Sequence, residues 1–170
     1  MCQNLVQSIS NEDETVSIGQ EIQYAKSYLT IQKMRYKDKL EFEIDVDPSV
    51  NMIPIVKLVL QPIIENAIYH GLKYKESKGM ILVKGYRQGD NAVLEVKDDG
   101  VGMDEETLSH IFEKHKVNYH SNGVGVYNVQ KRLVLYYGKD YGLHYQSKKG
   151  EGTTVTVVIP AVGEEHHEKA

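Results

Sequence analysis

The sequence predicts an α/β chain of the α+β kind, a two-layer sandwich in which helices cover one face of a mixed, mainly antiparallel sheet. Three observations predict it. The patterns run helix, strand, helix, hairpin, helices, hairpin. Both hairpins join alternating or β-branched strands through glycine-containing turns. The stretch from Pro54 to Gly71 is too densely apolar for a single stripe and must be buried.

Each element has a local cause. Ser17-Ile18-Gly19-Gln20 has the form of a capping box, and Ile22, Ala25, Tyr28 and Leu29 follow at helical spacing, which predicts a helix over 18–36. Leu40 to Val46 alternates apolar and acidic residues, a strand with one buried and one wet face on one side of an open sheet. Pro54 in a first turn and Gly71 just past an end predict a helix over 54–71, bent or interrupted at Pro62. Met80 to Arg87 and Ala92 to Asp98 form a hairpin around Gln88-Gly89-Asp90-Asn91. A short helix is predicted from near Asp104 to about Phe112, then a polar lid from Glu113 to Asn122, then a helix from Val124 to Tyr137. Gly142 to Ser147 and Thr153 to Ile159 make the second hairpin, halted by Pro160.

Composition narrows the function classes. Of 170 residues, 41% are hydrophobic, enough for one sizeable core. A formal charge of -4 gives no global reason to bind nucleic acid or an anionic membrane, so a bound polyanion needs a local site. The one cysteine, Cys2, forms no internal disulfide and fits a reducing cytoplasmic setting. No run of about 18 apolar residues occurs, and MCQNLVQSIS lacks a signal peptide's pattern. Seven scattered histidines lack zinc-ligand spacing.

Three groups of residues carry possible chemistry. Asn66 and His70, four apart beside Glu65, share a helix face. The amide oxygen there suits magnesium, although taken alone a polar pair on a helix more often faces water or caps a neighbour. Asp98-Asp99-Gly100-Val101-Gly102-Met103 follows a strand. Its glycines let the backbone approach a ligand and its aspartate can accept from an exocyclic amine, while an ordinary Asp-Gly turn also satisfies the pattern. Asn122-Gly123-Val124-Gly125 opens a helix, where unpaired N–H groups and the helix dipole attract phosphate. A dinucleotide GxG motif fits poorly, because a loop precedes it and no parallel βαβ setting surrounds it.

Taken in order, LQPIIENAIYHG, DDGVGM, NGVGVYNVQKRL and EGTTVTV resemble the N, G1 and G2 boxes and the closing Gly-Thr segment of the GHKL ATP-binding superfamily, and more narrowly the LytS/YesM-type sensor histidine kinases. The likeness covers about residues 15–160. It implies a Bergerat-type ATP-binding fold with ATP and Mg2+ as cofactors. It places Asn66 on magnesium through the ATP phosphates, with Asn66 and Glu65 as the catalytic pair. Asp98 would contact adenine, with Gly100 and Gly102 turning the backbone and Met103 beside them. Gly123, Val124 and Gly125 would lie by the phosphates, Thr153 near the adenine end, and His70 within the N box. Residues 103–122 would form the lid.

The resemblance also implies residues 1–16 as the end of an upstream dimerising, phosphoacceptor helical region, 17–161 as the catalytic domain, and 162–170 as a solvated tail. Implied partners are those upstream helices, in a homodimeric parent, and a response regulator, with no nucleic acid. The implied setting is the cytoplasmic part of a membrane sensor. The family's His-Phe-Leu-Phe-Asn acceptor motif does not occur, so ATP binding without efficient autophosphorylation is expected of these residues alone. A gyrase, MutL or Hsp90-type ATPase is the main rival, but its water-activating glutamate would fall at Pro62, which is no base. An anti-sigma-factor serine kinase and a catalytically silent nucleotide module complete the alternatives.

Overall fold

The computed structural model describes residues 14–112 and 123–161. Strand β1 (Thr15–Ser17) leads into helix α1 (Ile18–Tyr36). The helix starts where its local chemistry dictates. The Gln20 N–H donates to Ser17 Oγ at 3.2 Å and the Ser17 N–H donates to Gln20 Oε1 at 3.1 Å, which satisfies two donors that a helix start leaves open. Ile18, Ile22, Ala25 and Leu29 then bury one stripe, at about 1.5–3 kcal/mol for each large side chain removed from water.

Five strands form the main sheet: β2 (Leu40–Val46), β4 (Gly79–Gln88), β5 (Asn91–Asp98), β6 (Gly142–Lys148) and β7 (Gly152–Pro160). Their spatial order is β2-β4-β5-β7-β6, with β2 parallel to β4 and every other pairing antiparallel. The two-residue turn Gly89-Asp90 closes the first hairpin, with Gly89 at φ 58°. Alternation sends Ile81 and Val83, Leu94 and Val96, Leu143, and Val155, Val157 and Ile159 into one core with α1 and the two helices below. The opposite face carries polar contacts such as Tyr86 Oη donating to Glu95 Oε1 at 2.8 Å.

The region 54–71 departs from its expected single helix. Pro54–Val56 is a short strand, β3, antiparallel to β1, and helix α2 runs only from Leu60 to Asn66 before widening into a π turn over Ala67–Leu72. The Lys73 N–H donates to Ile68 O at 2.9 Å, the long-span bond of that wider turn. Gly71 therefore lies inside the helical path, not past its end. Pro62 is the third residue of α2, in the first turn, where a missing N–H costs no internal bond and the expected bend does not arise. Thr15 and Val16, expected upstream of the domain, pair with Val56 and Ile55.

The start of α2 is capped from a distance. Glu21, on α1 and 2% exposed, accepts the N–H groups of Val59 at 2.7 Å and Leu60 at 3.0 Å through Oε1, and that of Leu58 at 3.2 Å through Oε2. Leu58 has φ 57°, a left-handed conformation costly for a leucine. Arg132 holds the same loop by donating to Lys57 O at 2.7 Å and Leu58 O at 3.1 Å. Arg132 belongs to helix α4 (Gly123–Tyr137). Between β5 and α4, helix α3 (Glu105–Ser109) is shorter than the expected 104–112. Asp104 caps it by accepting the Thr107 N–H at 2.8 Å. The lid segment 113–122 and the tail 162–170 fall outside the described residues, and Pro160 is the last residue of β7 rather than a stop before it.

Candidate functional site

Register places the floor of the site. Val96 pairs with Val155, which pairs with Tyr145 on its other side, and the next row is Asp98, Thr153 and Ser147. All six are on the helix-facing side because side chains alternate along each strand. The α2 and π-turn residues Ile63, Asn66, Ala67, His70 and Gly71 form one wall, and Gly102, Met103 and the α3 region the other. Together they enclose a cavity of about 470 Å³, within the range of sites that bury most of a small ligand.

Glycines set how closely these walls approach Asp98. A Cβ at Gly71 would stand 2.7 Å from Asp98 Oδ1, and one at Gly100 would stand 2.3 Å from the Gly71 backbone. The Val101 N–H donates to Gly71 O at 3.0 Å, which ties the loop after β5 to the π turn. Gly102 has φ 64°, and a Cβ there would meet Lys148 O at 2.0 Å. Ser147 Oγ accepts the Met103 N–H at 2.8 Å and lies 2.8 Å from Thr153 Oγ1, so β6 fixes the loop's far end.

The paired aspartates do different work. Asp98 is 4% exposed and its Oδ1 accepts the Gly100 N–H at 2.9 Å. Burial pushes its pKa up to about 6, against the Gly100 and Thr153 N–H groups, which favour the charge. Asp99 turns outward, where Lys75 donates to Oδ2 at 2.7 Å and the Met80 N–H donates to Oδ1 at 2.8 Å. Partial burial opposes the Asp99 charge, but these donors outweigh it and its pKa is lowered. His70 is lowered too, first by desolvation and then by the Lys73 charge, which favours the neutral imidazole.

Asn66 Oδ1 is buried without a hydrogen-bond partner, as is the Tyr145 hydroxyl. The Asn66 side chain stands close enough to favour ionisation of the Tyr145 phenol, yet the two do not meet hydrogen-bond geometry. Burial dominates and raises that phenol's pKa. An unpaired carboxamide oxygen is the hard donor a magnesium ion accepts. Among the described residues no three His, Cys, Asp or Glu side chains converge to hold an ion, so a cation here would draw its remaining oxygens from the ligand and water.

The cavity thus gathers Asn66, His70, Asp98, Gly102, Met103 and Thr153, with Gly100 directly behind. Glu65 does not line it, and Gln61 Nε2 donates to its Oε1 at 3.1 Å. Gly123 and Val124 open α4, with side chains outside the described set, and Gly125 packs against Pro62 in a neighbouring groove. Sequence reasoning missed Tyr145, Ser147 and the apolar walls Ile63, Val96 and Val155. Alternation in β6 gives the signal for the first two, since Leu143, Tyr145 and Ser147 share a side.

The model of the histidine kinase-, DNA gyrase B- and HSP90-like ATPases matches residues 54–163, most of the chain and every cavity element. The chain belongs to this ATPase family. A histidine kinase model also matches residues 1–40. The sensor histidine kinase YesM of Bacillus subtilis (strain 168) is 31% identical over 157 residues, covering 92% of this chain and 26% of that protein. YpdA of Escherichia coli (strain K12), also a sensor histidine kinase, is 33% identical over 149 residues, covering 88% and 25%. The chain spans about a quarter of the length of these relatives. Among solved structures, the nucleotide-free catalytic domain of histidine kinase ThkA matches with TM-score 0.67 at 14% identity, covering 88% of this chain and 99% of that one. The mycobacterial sensor histidine kinase MprB matches with TM-score 0.58 at 22% identity, covering 86% and 96%. These likenesses carry the fold.

Proposed function

We propose that this domain binds Mg·ATP and serves as the catalytic half of a two-component sensor histidine kinase. The observation that carries the reading is the meeting of two buried oxygen acceptors, Asn66 Oδ1 and the Asp98 carboxylate, in one cavity between a sheet and a π-widened helix. Asp98 would accept from the exocyclic amine of adenine, with Thr153 beside it and Val96, Val155 and Ile63 against the base. Asn66 Oδ1 would hold the magnesium ion, which supplies charge neutralisation at the phosphates. The glycine-rich start of α4 at Gly123, Val124 and Gly125 would face the phosphates with open N–H groups.

In the proposed reaction an imidazole nitrogen on a dimerising helical segment attacks the γ-phosphorus as the bond to the β–γ bridging oxygen breaks and ADP leaves. The phosphoryl group would then pass to a response regulator. The parent is proposed to be a homodimeric membrane sensor with this domain on the cytoplasmic side. Hydrolytic ATPase activity is disfavoured, because Pro62 stands where the gyrase-like base would be and Glu65 is turned away from the cavity. Calorimetric titration of ATP with and without magnesium tests the reading. Saturable, magnesium-strengthened binding is expected, weakened at least tenfold by Asp98→Ala through loss of a charge-assisted bond of about 1.5–3 kcal/mol. No saturable binding by the wild type would refute it.

A further inference from the structure

Two buried polar atoms without partners belong to the cavity, Asn66 Oδ1 and the Tyr145 hydroxyl, and each costs about 1–3 kcal/mol if left unpaired. Their neighbourhood is built to keep them together. Tyr145 is paired to Val155 in the floor of the sheet, and Phe112 meets its ring edge-on with centroids 5.5 Å apart at 79°. The ring is thus held on both sides and its hydroxyl is a fixed post beside Asn66.

A carboxamide has an acceptor end and a donor end, and a half-turn about its last bond exchanges them. Only the oxygen end can face a cation. Among the described residues no other group bonds the Asn66 side chain, so its orientation is set by what stands next to it. We propose that Tyr145 is a positioning residue: in the nucleotide complex its hydroxyl oxygen accepts from Asn66 Nδ2 and so holds Asn66 Oδ1 toward the cation that accompanies the phosphates. This inference rests on the nucleotide reading above and assigns β6, which carries none of the motif residues, a part in placing the cation.

Tyr145→Phe keeps the ring and its packing and removes only the hydroxyl. Calorimetric ATP titrations of wild type and Tyr145→Phe, each in magnesium and in EDTA, read the factor by which magnesium tightens binding. That factor is expected to fall about threefold to tenfold, the worth of one net hydrogen bond. The thermal midpoint of the nucleotide-free protein should hold or rise, because there the buried hydroxyl has no partner to lose. In an Asn66→Ala background the same change should leave the factor unaltered. An unchanged factor in Tyr145→Phe overturns the inference, as does an equal loss of affinity in magnesium and EDTA, which would put the hydroxyl on the nucleotide itself. A wild type that binds no ATP in either condition overturns the nucleotide reading, a result distinct from both.

Discussion

Lowering pH should switch off adenine recognition before it unfolds the domain. Asp98 is the group concerned: its carboxyl is buried, its pKa is pushed up to about 6, and only the ionised form offers both oxygens as acceptors. With that value, roughly a tenth of Asp98 is ionised near pH 5 and nearly all of it near pH 7.5, so affinity should fall about tenfold between them. Adenosine is the probe, since its lack of phosphate removes the ligand's own titration from the comparison. Calorimetry over that range should follow one proton with a midpoint near 6, moved downward when ligand is bound. Stability runs the other way. The folded pKa exceeds the ordinary value of 3.8, so the neutral group's favourable contribution is full below 3.8 and is lost as pH rises through about 6. The difference, at about 1.4 kcal/mol for each factor of ten, is about 3 kcal/mol. Adenosine affinity that stays flat across the range would refute the assignment of Asp98 as the adenine acceptor.

Other outcomes follow from single contacts. Glu21→Gln should lower stability by about 2 kcal/mol, because the new amide cannot accept the Leu58 N–H and the charge at the start of α2 disappears; urea denaturation measures it, and a loss under about 0.5 kcal/mol would contradict the capping role. Gly71→Ala should cost more than tenfold in ATP affinity, since its Cβ would lie 2.7 Å from Asp98 Oδ1 and must displace that carboxylate. A fully folded Gly71→Ala protein with wild-type affinity, read by circular dichroism and calorimetry, would show that the close approach is dispensable.

What was legible in the sequence was what local chemistry decides. The Ser17 capping box fixes the start of α1, the alternation of Leu40 to Val46 and of the two hairpins fixes the strands, and the strand end at Asp98 fixes the loop that follows. The region 54–71 was misread because its shape depends on distant partners. β3 exists only by pairing with Thr15–Ser17, and α2 begins at Leu60 because Glu21, far away in the chain, caps it. A carboxylate set between Ile18 and Ile22 on the buried face of α1 was the available sign that something there needed an acceptor. The left-handed Leu58 and the π turn leave no comparable trace, since each is imposed by packing. In the site, Asn66, Asp98 and the loop glycines were readable from type and spacing, whereas Tyr145 and Ser147 gain their role only from strand register.

Photoaffinity labelling with 8-azido-ATP in magnesium, mapped by mass spectrometry, tests the central claim most directly. Label should fall on peptides that line the cavity, those containing Ile63 to Gly71, Gly102 to Ile111 or Tyr145 to Val155. It should vanish with excess ATP and in Asp98→Ala. Label confined to other surfaces, or indifferent to competing ATP, would contradict the placement of the nucleotide between Asn66 and Asp98.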